Sequence, residues 1–216
     1  MSKTVLITGA TAGFGAAAAR LFVENGWRAV VTGRRADRIA ALVEELGPGK
    51  AHGAVFDIRD SAAMGAALDA LPSGFAAVDL LINNAGLALG TAPAFKADLD
   101  QWRQMVDTNI TGLMAITHKM LPGLVDRRGA IINITTFATF EPDPVFPTSG
   151  VARAGLAAFT KLFADTYAAQ GIRMNNVLPG FIDSLPEKQE FRARIPMGRY
   201  GKASEIAATV SFLASD

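Results

Sequence analysis

The sequence contains no cysteine. Disulfides, zinc ribbons and thiol catalysis are therefore excluded. Histidine is nearly absent too, with only His52 and His118 in 216 residues, so no metal centre is expected. An excess of one charge is also missing. Twenty-one Lys and Arg stand against 20 Asp and Glu, a net charge of +1. This argues against nucleic acid or another polyanion held by bulk electrostatics. No apolar run reaches the roughly 18 residues of a membrane span. The opening MSKTVLITGA is not built as a signal peptide, so a cytoplasmic protein with no membrane partner is expected. Tyrosine is scarce as well, limited to Tyr167 and Tyr200.

What remains is globular in composition, 50% apolar and 19% charged. A chain of this length buries about 70% of its unfolded surface and needs no covalent staple. Short β-branched runs alternate with longer helical patterns. Thr4 to Thr8, Arg28 to Thr32, Ala54 to Asp57, Asp79 to Ile82, Ala130 to Thr135 and Ile172 to Val177 read as six strands. Ala16 to Asn25, Arg38 to Leu46, Ala62 to Ala70, Leu99 to Leu121, Val151 to Ala169 and Ser204 to Leu213 read as helices. Near-continuous Val/Ile/Leu strands alternating with helices predict a parallel sheet covered on both faces. Right-handed crossovers then give an α/β, doubly wound, Rossmann-type architecture, expected as a single domain over residues 1–216. The stretch Phe140 to Pro147, with three prolines in six residues, reads as an extended loop beyond the fifth strand, where such sheets bind ligands.

The first strand runs into Thr8-Gly9-Ala10-Thr11-Ala12-Gly13-Phe14-Gly15 and directly into a helix. Glycines here let the turn tighten and let a pyrophosphate reach the backbone, with its charge on the helix N-terminus. The spacing is GxxxGxG rather than the GxGxxG of most dinucleotide folds. After the second strand an acidic residue would receive the ribose hydroxyls of NAD. The sequence instead has Thr32-Gly33-Arg34-Arg35. Two guanidiniums at this point favour a 2′-phosphate, so NADP is expected over NAD.

Together with Asp57-Ile58, Asn83-Asn84-Ala85-Gly86, Asn109 in DTNITG and Pro179-Gly180-Phe181-Ile182, this turn resembles the short-chain dehydrogenase/reductase family over essentially the whole chain. The resemblance implies that Gly9, Thr11, Gly13, Phe14 and Gly15 line the pyrophosphate. It likewise implies that Asp57 and Ile58 touch adenine, that Asn84, Ala85 and Gly86 back the ribose, and that Pro179, Gly180 and Ile182 border the nicotinamide. The family reduces carbonyls or oxidises alcohols with an Asn-Ser-Tyr-Lys tetrad. Its Tyr and Lys lie four apart on one helix face. Counted along this chain, those positions fall on Asn109, Thr136, Ser149 and Arg153. No Tyr-x-x-x-Lys occurs. A serine hydroxyl is a far poorer acid than a phenol. Arg153 keeps its charge, and could hold ribose hydroxyls, but cannot exchange protons at pH 7.

Weak carbonyl or alcohol activity on a small carbonyl or hydroxy substrate is thus one expectation. A non-catalytic NADP-binding sensor or partner protein is the other. Up to about Ile134 the chain resembles NADP-dependent 3-hydroxy acid dehydrogenases, notably in Asn83 to Gly90. From Thr135 it resembles another branch, notably in Phe181 to Lys188 and Arg194 to Gly201, a pattern expected of a recombined or engineered chain. The family's usual seventh strand has no counterpart before Asp216. A homodimer through helices near Trp102 to Leu121 and Val151 to Ala169 is implied by resemblance. Glu141 and Asp143 read as solvated loop charges rather than replacement acids. Asp183 and Glu187 read as flanking a substrate lid, and Ser204-Glu205 as a helix start.

Overall fold

Val5, Leu6 and Ile7 are apolar without alternation because both faces of their strand are covered; each is fully buried. This strand, β1 (Thr4–Ile7), sits inside a six-stranded sheet in the computed structural model, which describes residues 2–89, 96, 98–184 and 186–215. Gly90, Leu185 and Asp216, singled out above, lie outside the described residues. The other strands are β2 (Arg28–Gly33), β3 (Ala51–Val55), β4 (Leu80–Asn83), β5 (Ala130–Ile134) and β6 (Arg173–Val177). All pairings are parallel, in the order β3-β2-β1-β4-β5-β6. The winding direction reverses between β1 and β4, which opens a crevice at their carboxyl ends.

Helices α1 (Gly13–Glu24) and α2 (Ala36–Leu46) cover one face of the sheet. On the other lie α3 (Ser61–Asp69), then the single turn α4 (Ser73–Ala76). After α5 (Leu99–Val106) come α6 (Gly112–Asp126) and α7 (Pro147–Tyr167), which bury Leu113, Ile116, Leu124, Leu156 and Phe163 against that second face. The chain continues through α8 (Gln189–Arg192) to α9 (Ala203–Leu213), which returns to the first face beside α1. Among the described residues no helix is long and apolar enough to cross a membrane.

The structure moves several expected boundaries. The third strand is Ala51–Val55, not Ala54 to Asp57, because its register with β2 runs from Ala29↔Ala51 to Gly33↔Val55. Asp57 consequently lies in the loop beyond the sheet. The long helix expected from Leu99 is interrupted at Asp107–Thr111, which winds as a π-helical turn before α6 begins. Such turns are rare and cluster at functional sites. Helix α7 starts at Pro147, four residues earlier than the apolar pattern, since proline is accepted at a first helical position. Helix α9 starts at Ala203 rather than Ser204, with the Glu205 carboxylate accepting the Lys202 N–H at 2.6 Å. The turns α4 and α8 carried no periodic signal.

One buried polar chain locks the second helical layer to the sheet. Asn83, Asn133 and Asn176 are lateral neighbours on β4, β5 and β6. The Asn83 amide donates to Asn133 Oδ1 at 2.9 Å and to Thr117 Oγ1 of α6 at 3.1 Å. Asn133 donates to Thr160 Oγ1 of α7 at 2.9 Å, and that hydroxyl lies 2.9 Å from Asn176 Oδ1. Buried networks of this kind rigidify what they connect, although Asn83 Oδ1 itself has no partner among the described residues. Here they hold α7, the helix carrying Ser149 and Arg153.

Candidate active site

The turn after β1 is built by the absence of side chains. Gly9 and Gly13 adopt φ of 64° and 52°, which glycine tolerates without strain. A Cβ on Gly9 would sit 2.9 Å from Ala85 Cα, and one on Gly15 would sit 2.7 Å from the Gly9 carbonyl. Asn84 stitches this turn to the end of β4. Its Nδ2 donates to the Thr8 and Gly9 carbonyls, both at 2.9 Å. The buried Thr8 hydroxyl accepts the N–H groups of Asn84 and Ala85, each at 2.9 Å. Asn84 thus spends its amide on the turn itself. Among the described residues no side chain caps the start of α1, whereas Asp60 caps α3 and Asp98 caps α5. The positive end of α1 and its first N–H groups are left for an anion. A narrow glycine cradle at an uncapped helix start fits a pyrophosphate.

At the neighbouring ends of β2 and β3, Arg35 donates to Thr11 Oγ1 at 2.8 Å. Arg34 lies 3.7 Å from Asp57 Oδ2. Asp57 is chiefly held by a residue that the sequence pattern did not single out, Arg59, whose Nη2 and Nε donate to it at 2.6 and 3.0 Å. Three guanidiniums therefore gather where two were expected. The Arg59 hydrogen bond is the main cause that lowers the Asp57 pKa from 3.8 to about 2, ahead of desolvation, which opposes it. Because the folded value is the lower one, this pair stabilises the fold above about pH 4 and its contribution is lost as pH falls toward about 2. Asp57→Asn is expected to flatten the acid limb of a pH-stability profile in that window, measured by urea midpoints. An unchanged limb would place the acid sensitivity elsewhere.

The tetrad positions sit around the carboxyl ends of β4 and β5. Asn109 lies in the π-helical turn, fully buried. Its Nδ2 donates to the Leu87 carbonyl at 2.9 Å and its Oδ1 accepts the Leu87 N–H at 2.8 Å. Both polar atoms thus clamp the 84–89 segment. Thr136 follows β5 and caps a short 3₁₀ turn, Phe137–Thr139. Ser149 is buried in the first turn of α7, and its hydroxyl makes no hydrogen bond among the described residues. One turn on, Arg153 donates to the Ile134 carbonyl, and its guanidinium abuts Gly86. No carboxylate pairs with it among the described residues. Burial pushes its pKa down to about 10, which still leaves a cation at pH 7. The two tyrosines are committed elsewhere. Tyr167 packs on Phe163 with ring centroids 4.7 Å apart, and the Tyr200 hydroxyl accepts the Lys188 N–H at 3.0 Å.

Beyond Thr136 the structure corrects the reading of Asp143 as a solvated charge. Its side chain is only 5% exposed and pairs with Arg194 at 2.6 Å. Burial alone would raise the Asp143 pKa, but the Val145 N–H and the Arg194 guanidinium outweigh it and hold the carboxyl below its ordinary range. Glu141 is exposed, as expected. The Asp143–Arg194 pair ties the proline-rich loop to the 180–196 segment. Phe181 joins the two sides, with its ring 5.5 Å from Phe137 and stacked 4.9 Å from Phe191. The Phe137 N–H donates to the Pro179 carbonyl at 3.1 Å, and Ile182 pairs with Gly201. A cavity of about 370 Å³ lies between the loop and this segment, with Phe137 and Gly180 in its walls.

A family model described as short chain dehydrogenase matches residues 3–194. The chain belongs to the short-chain dehydrogenase family. Serine 3-dehydrogenase of Agrobacterium fabrum is 47% identical over 184 residues, which cover 85% of this chain and 74% of that protein. The NADP-dependent 3-hydroxy acid dehydrogenase YdfG of Salmonella typhi is 42% identical over 179 residues, 82% of this chain and 72% of that one. A closed serine dehydrogenase complexed with NADP+ superimposes with a TM-score of 0.88 at 33% identity, covering 99% of this short-chain dehydrogenase and 89% of that chain. The doubly wound fold expected from the sequence is therefore the fold of the family. Arg59 and the Asp143–Arg194 pair were not legible beforehand. Arg59 has no periodic relation to Asp57, and 51 residues separate the partners of the second pair.

Proposed function

We propose that this short-chain dehydrogenase is an NADP-dependent oxidoreductase interconverting a small carbonyl compound and its alcohol, with weakened acid/base catalysis. One observation carries the reading: an uncapped, glycine-rich cradle at the start of α1 lies next to a cluster of guanidiniums. In this reading Gly9, Thr11, Gly13, Phe14 and Gly15 receive the pyrophosphate. Arg34 and Arg35 receive the 2′-phosphate by charged hydrogen bonds. Asp57 and Ile58 border the adenine, and Ala85 and Gly86 border the ribose, with Asn84 holding the turn. Pro179, Gly180 and Ile182 border the nicotinamide. When bound, the dinucleotide supplies or accepts the hydride.

The residues of this chain then orient and polarise. The Thr136 hydroxyl donates to the carbonyl oxygen. Arg153 holds ribose hydroxyls and adds positive charge, and Asn109 fixes the loop through Leu87. Ser149 stands where the family has its proton donor, and an alkyl hydroxyl is poorly suited to that task. The missing phenol favours a second reading, a non-catalytic NADP-binding protein. Exposed Leu99 and Val106 on α5, with Val151 and Leu162 on α7, support a homodimer through those helices.

Titration with NADPH and NADH, followed through Trp27 and Trp102 fluorescence, tests the cofactor. NADPH is expected to bind about 10- to 100-fold more tightly, the effect of one or two charge-assisted hydrogen bonds. Arg34→Ala with Arg35→Ala should erase the difference. Equal binding of the two in the unmodified protein contradicts NADP. Tight NADPH binding with no turnover across a carbonyl panel selects the non-catalytic reading.

A further inference from the structure

The cavity beyond Thr136 has walls of mixed polarity. Phe137 and Phe181 form one end, Pro142 and Pro144 line the loop side, and Ile195 and Pro196 line the other. Three charged residues reach it, Glu141, Asp143 and Arg194. Arg194 is the sole cation in these walls among the described residues, and it is already ion-paired. Its Nη2 meets Asp143 Oδ2 at 2.6 Å, while its guanidinium face lies 5.4 Å over the Phe181 ring. The second Asp143 oxygen accepts the Val145 N–H at 2.9 Å, so the carboxylate is fixed in place. Glu141 has no cationic partner among the described residues, which leaves the cavity with a net negative charge. Arg153 offers no substitute, because it points to the Ile134 carbonyl and Gly86 and does not line the cavity.

A carboxylate or sulfonate entering such a cavity gives up its hydration without finding a free cation. An uncharged chain exchanges water for phenyl rings and proline at no such cost. We propose that the ligand of this cavity is an uncharged carbonyl compound or the matching alcohol, and that Asp143 sets this preference by pairing with Arg194. The proposal rests on the carbonyl/alcohol reading given above. It separates this chain from the relatives named for serine and for 3-hydroxy acids, both of which carry a carboxylate.

Heptan-2-one and 6-oxoheptanoate have the same carbon chain and differ by one terminal carboxylate. Their binding to the protein saturated with NADP+, which cannot reduce a ketone, is measured by calorimetry. The ketone is expected to bind about tenfold or more tightly than the keto acid. Equal or tighter binding of the keto acid overturns the proposal. In Asp143→Asn the keto acid should gain about tenfold and lose that gain at about 0.5 M salt, with the ketone little changed. No gain in a folded Asp143→Asn protein removes Asp143 from its role. Should that variant fail to fold, Arg194→Gln is expected to leave the keto acid as poor a ligand as before, and any improvement there contradicts the proposal. NADPH binding measured alone separates the two readings. With ketone binding measured also in the absence of dinucleotide, a protein that binds NADPH but neither ketone nor keto acid overturns this inference only; one that binds the ketone but not NADPH overturns the cofactor reading only.

Discussion

Replacing Ser149 by Tyr and Arg153 by Lys together is expected to raise carbonyl-dependent NADPH oxidation by about 10²- to 10⁴-fold, the usual contribution of a positioned acid/base. Both residues lie on α7, four apart and so on one face. That helix is held to the sheet by the Thr160–Asn133 contact, so the new side chains would inherit a fixed geometry. The lysine is needed as well as the tyrosine. Arg153 carries its charge on a planar group anchored to the Ile134 carbonyl, whereas an ammonium is a compact charge on a flexible stem that also depresses a neighbouring phenol's pKa. Ser149→Tyr alone should therefore gain less than the pair. Initial rates with a carbonyl panel decide the matter. A double variant that folds, binds NADPH and is no faster than the parent would mean that Ser149 and Arg153 do not occupy the acid and lysine positions.

Gly15→Ala is expected to weaken NADPH binding by about 100-fold, equivalent to about 2.7 kcal/mol, and to destabilise the fold by about 1–3 kcal/mol. The added methyl would fall 2.7 Å from the Gly9 carbonyl and 2.9 Å from Ala10 Cα, both main-chain atoms of the cradle. It would also press on Asn84 Nδ2, the group bonded to the Thr8 and Gly9 carbonyls. Relief requires the cradle to open, which displaces the N–H groups proposed to receive the pyrophosphate. Gly65→Ala is the matched control, because nothing lies within 4 Å of a Cβ there. In the middle of α3 that change should stabilise by about 0.5–1 kcal/mol and leave NADPH binding alone. Urea midpoints and fluorescence titration of both variants test the contrast. Equal losses at Gly15 and Gly65 would show that the cradle is not the sensitive element.

Much of this was legible in the chain itself. Unbroken apolar runs such as Val5 to Ile7 and Ile131 to Ile132 announce strands buried on both faces, because only that environment rewards apolar side chains at every position. Helical periodicity between them specifies the crossovers, and thereby the doubly wound sheet. The glycine turn and the Arg34-Arg35 pair are contiguous, so the expectation of NADP could be drawn locally. The lack of Tyr-x-x-x-Lys is likewise a fact of spacing along one helix.

Contacts between distant segments were decided only by tertiary structure. Nothing in the order of residues brings Asp143 to Arg194, 51 positions away, or turns a proline-rich loop charge into a buried one. Asn84 and Asn109 have polar side chains whose partners, the Gly9 and Leu87 main chains, depend on how β4 abuts the first turn and on a π-helical turn that periodicity does not encode. Local propensity and hydrophobic period act over a few residues, so they specify elements and contiguous motifs. Burial, pairing and charge neutralisation depend on which elements the fold sets side by side, and in this protein those are what shape the cavity beyond Thr136.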